Sequence, residues 1–325
     1  MRRPRLLALA AGAVATVMLL AGCSGAGEGQ GAATNELSIS ATGVDSLPFM
    51  AILQAGIDKG WFTEAGLAVD LFSGGGGGNT LRVVTTGDAD MAIAGNTSVL
   101  LAARQPTSKL RIVAPWFQVN DFYWIAPGQR RLQGAKLGFS SAGSSTELLA
   151  KGLERKVGTT SQAVGPMGDN WTAARAGQVT AGWAMQPFVT EKMAEDGAKV
   201  VVSAREVLGD LPADLVAVNS DYAKENPENI RKFFTVATRL NNWVVQEPQD
   251  AAKTLAPLLK TTPEIMEKAL KSTQELSRAY SLKVDPKALK NLSDLMVAAG
   301  QIDQPVDWKT VLDQQFLPES DRATF

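Results

Sequence analysis

The sequence predicts an α/β protein of two lobes, each built on its own open sheet. Three observations carry this. Strand-like and helix-like segments alternate over residues 37–116. A second alternation runs over residues 122–202. The part after the N-terminal leader is roughly 290 residues long, a length that suits two domains.

The elements follow in order. Residues 37–41 read as a first strand. Pro48 opens a helix, because proline suits a first helical position where its missing N–H is not needed, and Met50, Leu53 and Ile57 recur on one face. Lys59-Gly60 ends it. Residues 67–72 are a second strand, 74–78 a loop, 80–86 a helix and 91–94 a third strand. Asn96-Thr97-Ser98 are N-cap residue types before a helix through Val99 and Ala103. Residues 110–116 are the fourth strand. This βαβαβαβ order predicts a parallel sheet with helices on its faces. Residues 122–126, apolar and aromatic, mark the first crossing into the second lobe. There, strands at 136–140, 162–164 and 180–185 alternate with helices around Leu148-Leu149 and Trp171. Residues 199–202 and 215–219 bring the chain back, and the rest is helical, with Pro227, Pro248, Pro263, Pro286 and Pro305 each near a helix start. The expected division is 36–124 with 215–325 for lobe one and 125–214 for lobe two.

The N-terminus has a different character. Arg2, Arg3 and Arg5 precede an apolar stretch at residues 6–20, then Leu20-Ala21-Gly22-Cys23. That order is a secretory signal peptide, residues 1–22, and its apolar run falls short of the ~20 residues of a membrane span. Cys23 directly after Leu-Ala-Gly resembles the bacterial lipobox. The resemblance implies cleavage before Cys23, lipidation of its thiol and an exported chain anchored to the outer face of the cell membrane or held in the periplasm. Residues 23–35 are rich in Gly and Ala and read as a flexible tether.

Composition removes several functions. Residues 1–22 carry three Arg, so the remaining chain has 29 basic residues against 33 acidic ones, a net charge of −4. This balance argues against a nucleic-acid partner and against a polybasic membrane anchor. Cys23 is the single Cys and there is no His. Cys-His and Ser-His catalysis and most zinc sites are thereby excluded. No catalytic residue, metal or cofactor is expected.

Residues 48–94 carry a recognisable order of motifs: Gly60-Trp61-Phe62, Gly66-Leu67-Ala68-Val69, Ser73-Gly74-Gly75 and Gly87-Asp88-Ala89-Asp90-Met91-Ala92. Together with AKLGFSSAGSSTELLAKGLERKVG and NPENIRKFFTVATRLNNWVVQEPQDAA further on, this resembles the nitrate/sulfonate/taurine-type solute-binding proteins of ABC transporters. The resemblance implies the type II periplasmic-binding-protein architecture: two Rossmann-like lobes, two crossing segments, a ligand between the lobes and hinge closure upon it. It also implies a small-molecule ligand and an ABC transporter permease as partners; a monomer is expected. One departure weakens transfer of the substrate. Where the family carries an acidic residue before a cleft strand, this chain has Thr180-Ala181-Gly182-Trp183.

In open α/β sheets, ligands sit beyond the carboxyl ends of the strands. That rule selects Asp45, Ser46 and Leu47; Ser73, Gly74 and Gly75; Asn96 and Thr97; and Trp116. In the second lobe it selects Gly143, Ser144, Ser145, Thr146, Trp183 and Gln186. Gly143 to Thr146 combine close backbone approach, hydroxyls and free N–H groups at a helix start, which suit an acceptor group, although helix capping explains the same residues. The five glycines from Gly74 to Gly78 lack the Lys of a phosphate loop. Asp45 and Asp121 are able to pair with a cationic group or simply cap turns. The aromatic residues favour a small organic ligand, sulfonate-like or heteroaromatic. An exported enzyme acting on a small heterocycle and a surface sensor without a transporter are the alternative functions.

Overall fold

A computed structural model describes residues 35–325. The expected signal peptide, Cys23 and the expected tether up to residue 34 lie outside the described residues. Among the described residues, ten strands form two five-stranded sheets. In the first, β1 (Glu36–Ala41), β2 (Ala68–Ser73), β3 (Met91–Gly95) and β4 (Leu110–Pro115) take the order β2-β1-β3-β10-β4, where β10 is Asp214–Asn219. In the second, β5 (Tyr123–Ala126), β6 (Lys136–Phe139), β7 (Thr160–Ala163), β8 (Ala181–Ala184) and β9 (Lys199–Ser203) take the order β7-β6-β8-β5-β9.

Position in the sheet follows composition. The inner strands β3 and β10 are almost wholly buried, and β3 and the Leu215–Val218 stretch of β10 are apolar, as strands covered on both faces must be. The edge strands β2 and β7 expose polar residues, which blunts an open edge. The helix Pro48–Asp58 has proline in its first turn and buries Phe49, Met50, Ile52 and Leu53 in the core. Pro227, Pro248, Pro263 and Pro286 likewise stand at helix starts.

Two expectations are corrected. The sheets are not all-parallel: β10 runs antiparallel between β3 and β4, and β5 antiparallel between β8 and β9. In each sheet the reversed strand is the one that enters from the other sheet. It starts where its neighbours finish, with Asp214 opposite Gly95 and Leu215 opposite Pro115. Likewise Tyr123 lies opposite Ala184 and Ser203. Second, Tyr123 and Trp124, expected in lobe one, belong to the second sheet, where the Trp124 indole N–H donates to Gly138 O at 2.7 Å. The chain therefore crosses between sheets over residues 116–122 and 204–213.

Candidate functional site

That register places the carboxyl ends of both sheets at the crossings. The two crossings run side by side: Trp116 N–H donates to Asp214 O at 2.9 Å, Ala213 N–H to Phe117 O at 2.7 Å and Ala204 N–H to Phe122 O at 2.9 Å. The strand-end loops of the two sheets consequently meet above a paired strap.

They touch at Asn96. This residue was expected as a helix cap. It is instead the first residue of the helix Asn96–Ala103, whose cap is Gly95 without a side-chain bond. Its fully buried amide donates to Pro212 O at 2.6 Å and accepts from the hydroxyls of Thr97 and Ser145, each at 2.9 Å. Ser98 Oγ donates to Gly143 O at 3.2 Å beside it. First-sheet Asn96 and second-sheet Ser145 thus share a buried bond, which is worth about 1 kcal/mol.

The loop after β6 satisfies itself. Ser144 caps the helix Ser145–Val157 by accepting from Glu147 N–H, while Glu147 Oε2 accepts from Gly143 N–H at 2.7 Å. This reciprocal arrangement follows from Ser and Glu three residues apart. Thr146 Oγ1 accepts from Ser140 N–H at 2.9 Å. The acceptor role anticipated for a ligand at this helix start is filled by the Glu147 carboxylate, which disfavours a second anion there.

Under the strap lies a cavity of about 10 Å³, about one water in size. Phe49, Phe117, Tyr280, Met185, Gln186 and Asp121 line it, with the helix Pro263–Ser272 contributing Met266, Ala269 and Leu270. Phe49 stacks on Phe117 with centroids 4.2 Å apart, and Tyr280 meets Phe117 edge-on at 5.5 Å. Gln186 Nε2 donates to Ser272 Oγ at 2.7 Å, a further link between the second sheet and the C-terminal helices.

Asp121 is 4% exposed. Its Oδ1 faces Arg205 Nη1 at 3.4 Å, and its Oδ2 has no hydrogen-bond partner among the described residues. Burial pushes the Asp121 carboxyl up to about 6, outweighing the pull of Arg205. Arg205 stands in the second crossing and also binds Asp210 at 2.6 Å, Glu275 at 2.7 Å and Gln274 O at 2.7 Å. Neighbouring Asn120 is fully buried, and neither amide atom has a partner among the described residues. Asp214, which opens β10, is buried too, and desolvation raises its carboxyl to about 7.

The remaining candidates spread around this centre. Asp45 is exposed in the turn after β1, with Ser46 and Leu47 half-buried beside it. Ser73 and Gly75 are exposed, whereas Gly74 is buried against Thr80 and its carbonyl accepts from Asn79. Trp116 lies in the core, donating to Phe49 O at 2.8 Å and stacking on Phe233, so its neighbour Phe117 forms the cavity wall. Trp183 is half-buried, donates to Gly165 O at 3.0 Å and leans on Phe122. Sequence reasoning did not find Phe49, Phe117, Met185, Met266 or Tyr280. For Phe49 and Phe117 the signal was adjacency to chosen positions; for Met266 and Tyr280 the sequence holds none. Among the described residues no cluster of His, Cys, Asp and Glu suits a metal ion, and no helix is long and apolar enough to cross a membrane.

Solved structures share this fold over nearly their whole length. The alkanesulfonate-binding protein SsuA of Xanthomonas axonopodis pv. citri, bound to MOPS, is 16% identical with a TM-score of 0.68, over 86% of this chain and 99% of its own. The periplasmic aliphatic sulphonate binding protein SsuA of Escherichia coli is 14% identical with a TM-score of 0.66, over 90% and 96%. The periplasmic nitrate-binding protein NrtA of Synechocystis PCC 6803 is 12% identical with a TM-score of 0.68, over 88% and 86%. No curated protein matches the sequence. The match that spans helix Pro48–Asp58, strands β2 to β10 and both crossings, residues 48–251, is to the NMT1/THI5-like family, and the chain belongs to that family.

Proposed function

We propose that this chain is the extracytoplasmic solute-binding component of an ABC importer. It takes a small organic molecule between its lobes and closes on it without changing it. One observation carries the reading: the carboxyl ends of two separate sheets face each other across two paired crossings, so the lobes hinge about residues 116–122 and 204–213. Lobe one is then 36–115 with 214–325, and lobe two is 123–203. The Asn96–Ser145 bond supports a closed arrangement, because it exists only when the lobes meet. Structural neighbours named for sulfonate and nitrate binding support the same reading, as does the lipobox-like Leu20-Ala21-Gly22-Cys23, which supports export and anchoring through Cys23. Native mass spectrometry of gently purified protein is expected to show one small molecule per chain. Small-angle scattering is expected to show contraction when that molecule is returned to stripped protein. Tight binding with no contraction would refute hinge closure.

A further inference from the structure

We propose that the hinge cavity is the subsite for a nitrogen head group of the ligand, an ammonium, amidinium or ring amino group, docked on Asp121 Oδ2. This names the ligand class and rests on the solute-binding reading.

Three independent observations lead there. The first is an unmet bond. Asp121 lines the cavity, turns Oδ1 to Arg205 and leaves Oδ2 buried without a partner. A buried carboxylate oxygen left unpaired is costly, and donors relieve it. Asn120, beside it on the same strap, holds in a fully buried amide a donor and an acceptor that are unpaired among the described residues.

The second is charge. Asp121 is the one charged residue lining the cavity, and the ion-pair network that continues from it through Arg205 has two guanidinium groups, Arg205 and Arg278, and four carboxylates, Asp121, Asp210, Glu275 and Asp285. No Lys or Arg is among the cavity's lining residues. A sulfonate or nitrate group would meet an acidic surplus here, whereas a cation or N–H donor would be drawn in. Burial holds the Asp121 carboxyl above its ordinary range, as expected for a site that waits for its counter-charge. The groups that face it are Arg205 and Asp210 from the second crossing, with the Tyr123 and Tyr280 hydroxyls sensing its charge.

The third is the wall. The Phe49–Phe117 stack, the edge of Tyr280 and the thioethers of Met185 and Met266 surround the space. Aromatic faces and polarisable sulfur accept a cation or a flat ring edge. At about 10 Å³ the cavity holds a group the size of an ammonium, so the rest of the ligand extends toward the strand-end loops.

The test uses the whole mature chain and probes matched in shape: benzamidine, benzylamine, benzyl alcohol and benzenesulfonate, titrated by calorimetry. Wild type is expected to bind the two cations and to reject benzenesulfonate. Asp121→Asn is expected to weaken the cations by about 10–100-fold and benzyl alcohol by less than about 3-fold. Arg205 keeps Asp210, Glu275 and Gln274 O in this variant, so the strap stays joined. Phe117→Leu, which leaves every charge in place, is expected to weaken the cations by about 5-fold. Three results overturn the subsite: benzenesulfonate binding best, Asp121→Asn keeping the cations at wild-type affinity, or a crystal structure with the probe elsewhere and water only on Oδ2. If Asp121→Asn also retains the co-purifying molecule and still contracts with it, the subsite fails while the solute-binding reading stands. If no probe binds at millimolar concentration and no molecule co-purifies or causes contraction, both fail.

Discussion

Gly95 is where closure is most easily blocked without harming either lobe. A methyl group built on Gly95 would lie 2.6 Å from Ser145 Oγ and 3.6 Å from Ser145 Cβ. Its backbone angles, φ −50° and ψ 134°, suit any L-residue, so Gly95→Ala adds no strain of its own. The penalty falls on the closed arrangement alone. Overpacking of this kind costs about 1–3 kcal/mol, and because only the closed form holds the ligand fully, affinity is expected to fall by about 5–150-fold. Ser145→Ala alone removes one bond to Asn96, about 1 kcal/mol or roughly 5-fold, since Thr97 still donates to Asn96 Oδ1. The double variant should bind no worse than Ser145→Ala, because the new methyl then faces only Ser145 Cβ at an ordinary contact distance. Calorimetry with the co-purified ligand reads the affinities, and thermal unfolding without ligand reads the lobes. Wild-type affinity in Gly95→Ala, or a double variant weaker than the two singles multiplied, would show that these lobes do not close through this contact.

Other consequences follow from the buried charges and the close approaches. Asp121 and Asp214 have folded-state values of about 6 and about 7, raised from 3.8. The stability tied to these groups is therefore full below about pH 4 and lost as pH rises through 6 to 7. At about 1.4 kcal/mol per unit the loss reaches several kcal/mol. Asp214→Asn is expected to raise the melting temperature near pH 8 and not near pH 4; equal effects at both would refute the assignment. Arg205→Ala strands Asp121 and Asp210 in the strap and is expected to cost about 3–5 kcal/mol in urea unfolding near pH 8, with a smaller deficit near pH 5, where Asp121 takes up a proton. A methyl group at Gly182 would lie 2.4 Å from Asn170 O and 2.6 Å from its carbonyl carbon, backbone that cannot swing aside. Gly182→Ala is expected to lose more than about 3 kcal/mol or to be recovered insoluble. Gly78, in the helix Gly77–Thr86 with open space around it, is the opposite case: Gly78→Ala should gain about 0.5–1 kcal/mol in the same assay.

Much of the architecture was readable because it is local. Proline marks helix starts through one missing N–H, and buried inner strands such as β3 and β10 announce themselves as unbroken apolar runs. The direction of β10 was not readable. It depends on which end of the sheet the chain re-enters, a consequence of the crossings and of nothing in Leu215 to Asn219. The loops that meet, Asn96 with Ser145, followed from the rule about carboxyl ends of strands. The cavity wall did not. Trp116 and Phe117 are neighbours in the crossing and both are buried, yet Trp116 packs on Phe233 while Phe117 lines the cavity, a difference that rests on tertiary packing and not on the local pattern. Met266 comes from the helix Pro263–Ser272, whose periodicity gives a buried face but not the partner that covers it, and Tyr280 from the turn after the short helix Leu276–Ala279, where there is no periodicity to read.

The strap itself carries a signal that crosses these levels. Gln118, Asn120 and Asp121 interrupt an apolar, aromatic stretch between β4 and β5, and such an interruption in an exposed linker would be ordinary. Here all three are buried, so the chain holds polar groups where water does not reach them, in a crossing that joins the two sheets. Gln118 is answered by Lys283 O at 2.8 Å; Asn120 and Asp121 Oδ2 are not answered within the described protein. Unmet bonds of this kind raise the energy of the closed form whenever the site is vacant. A guest that supplies the missing donor removes that cost only when the lobes are shut around it, so at the proposed subsite the same residues would serve both recognition and the bias of the hinge. Recognition and closure are then a single equilibrium, and a substitution in the strap is expected to change both the contacts to the ligand and the closure, whereas one at Gly95 lowers affinity through closure alone.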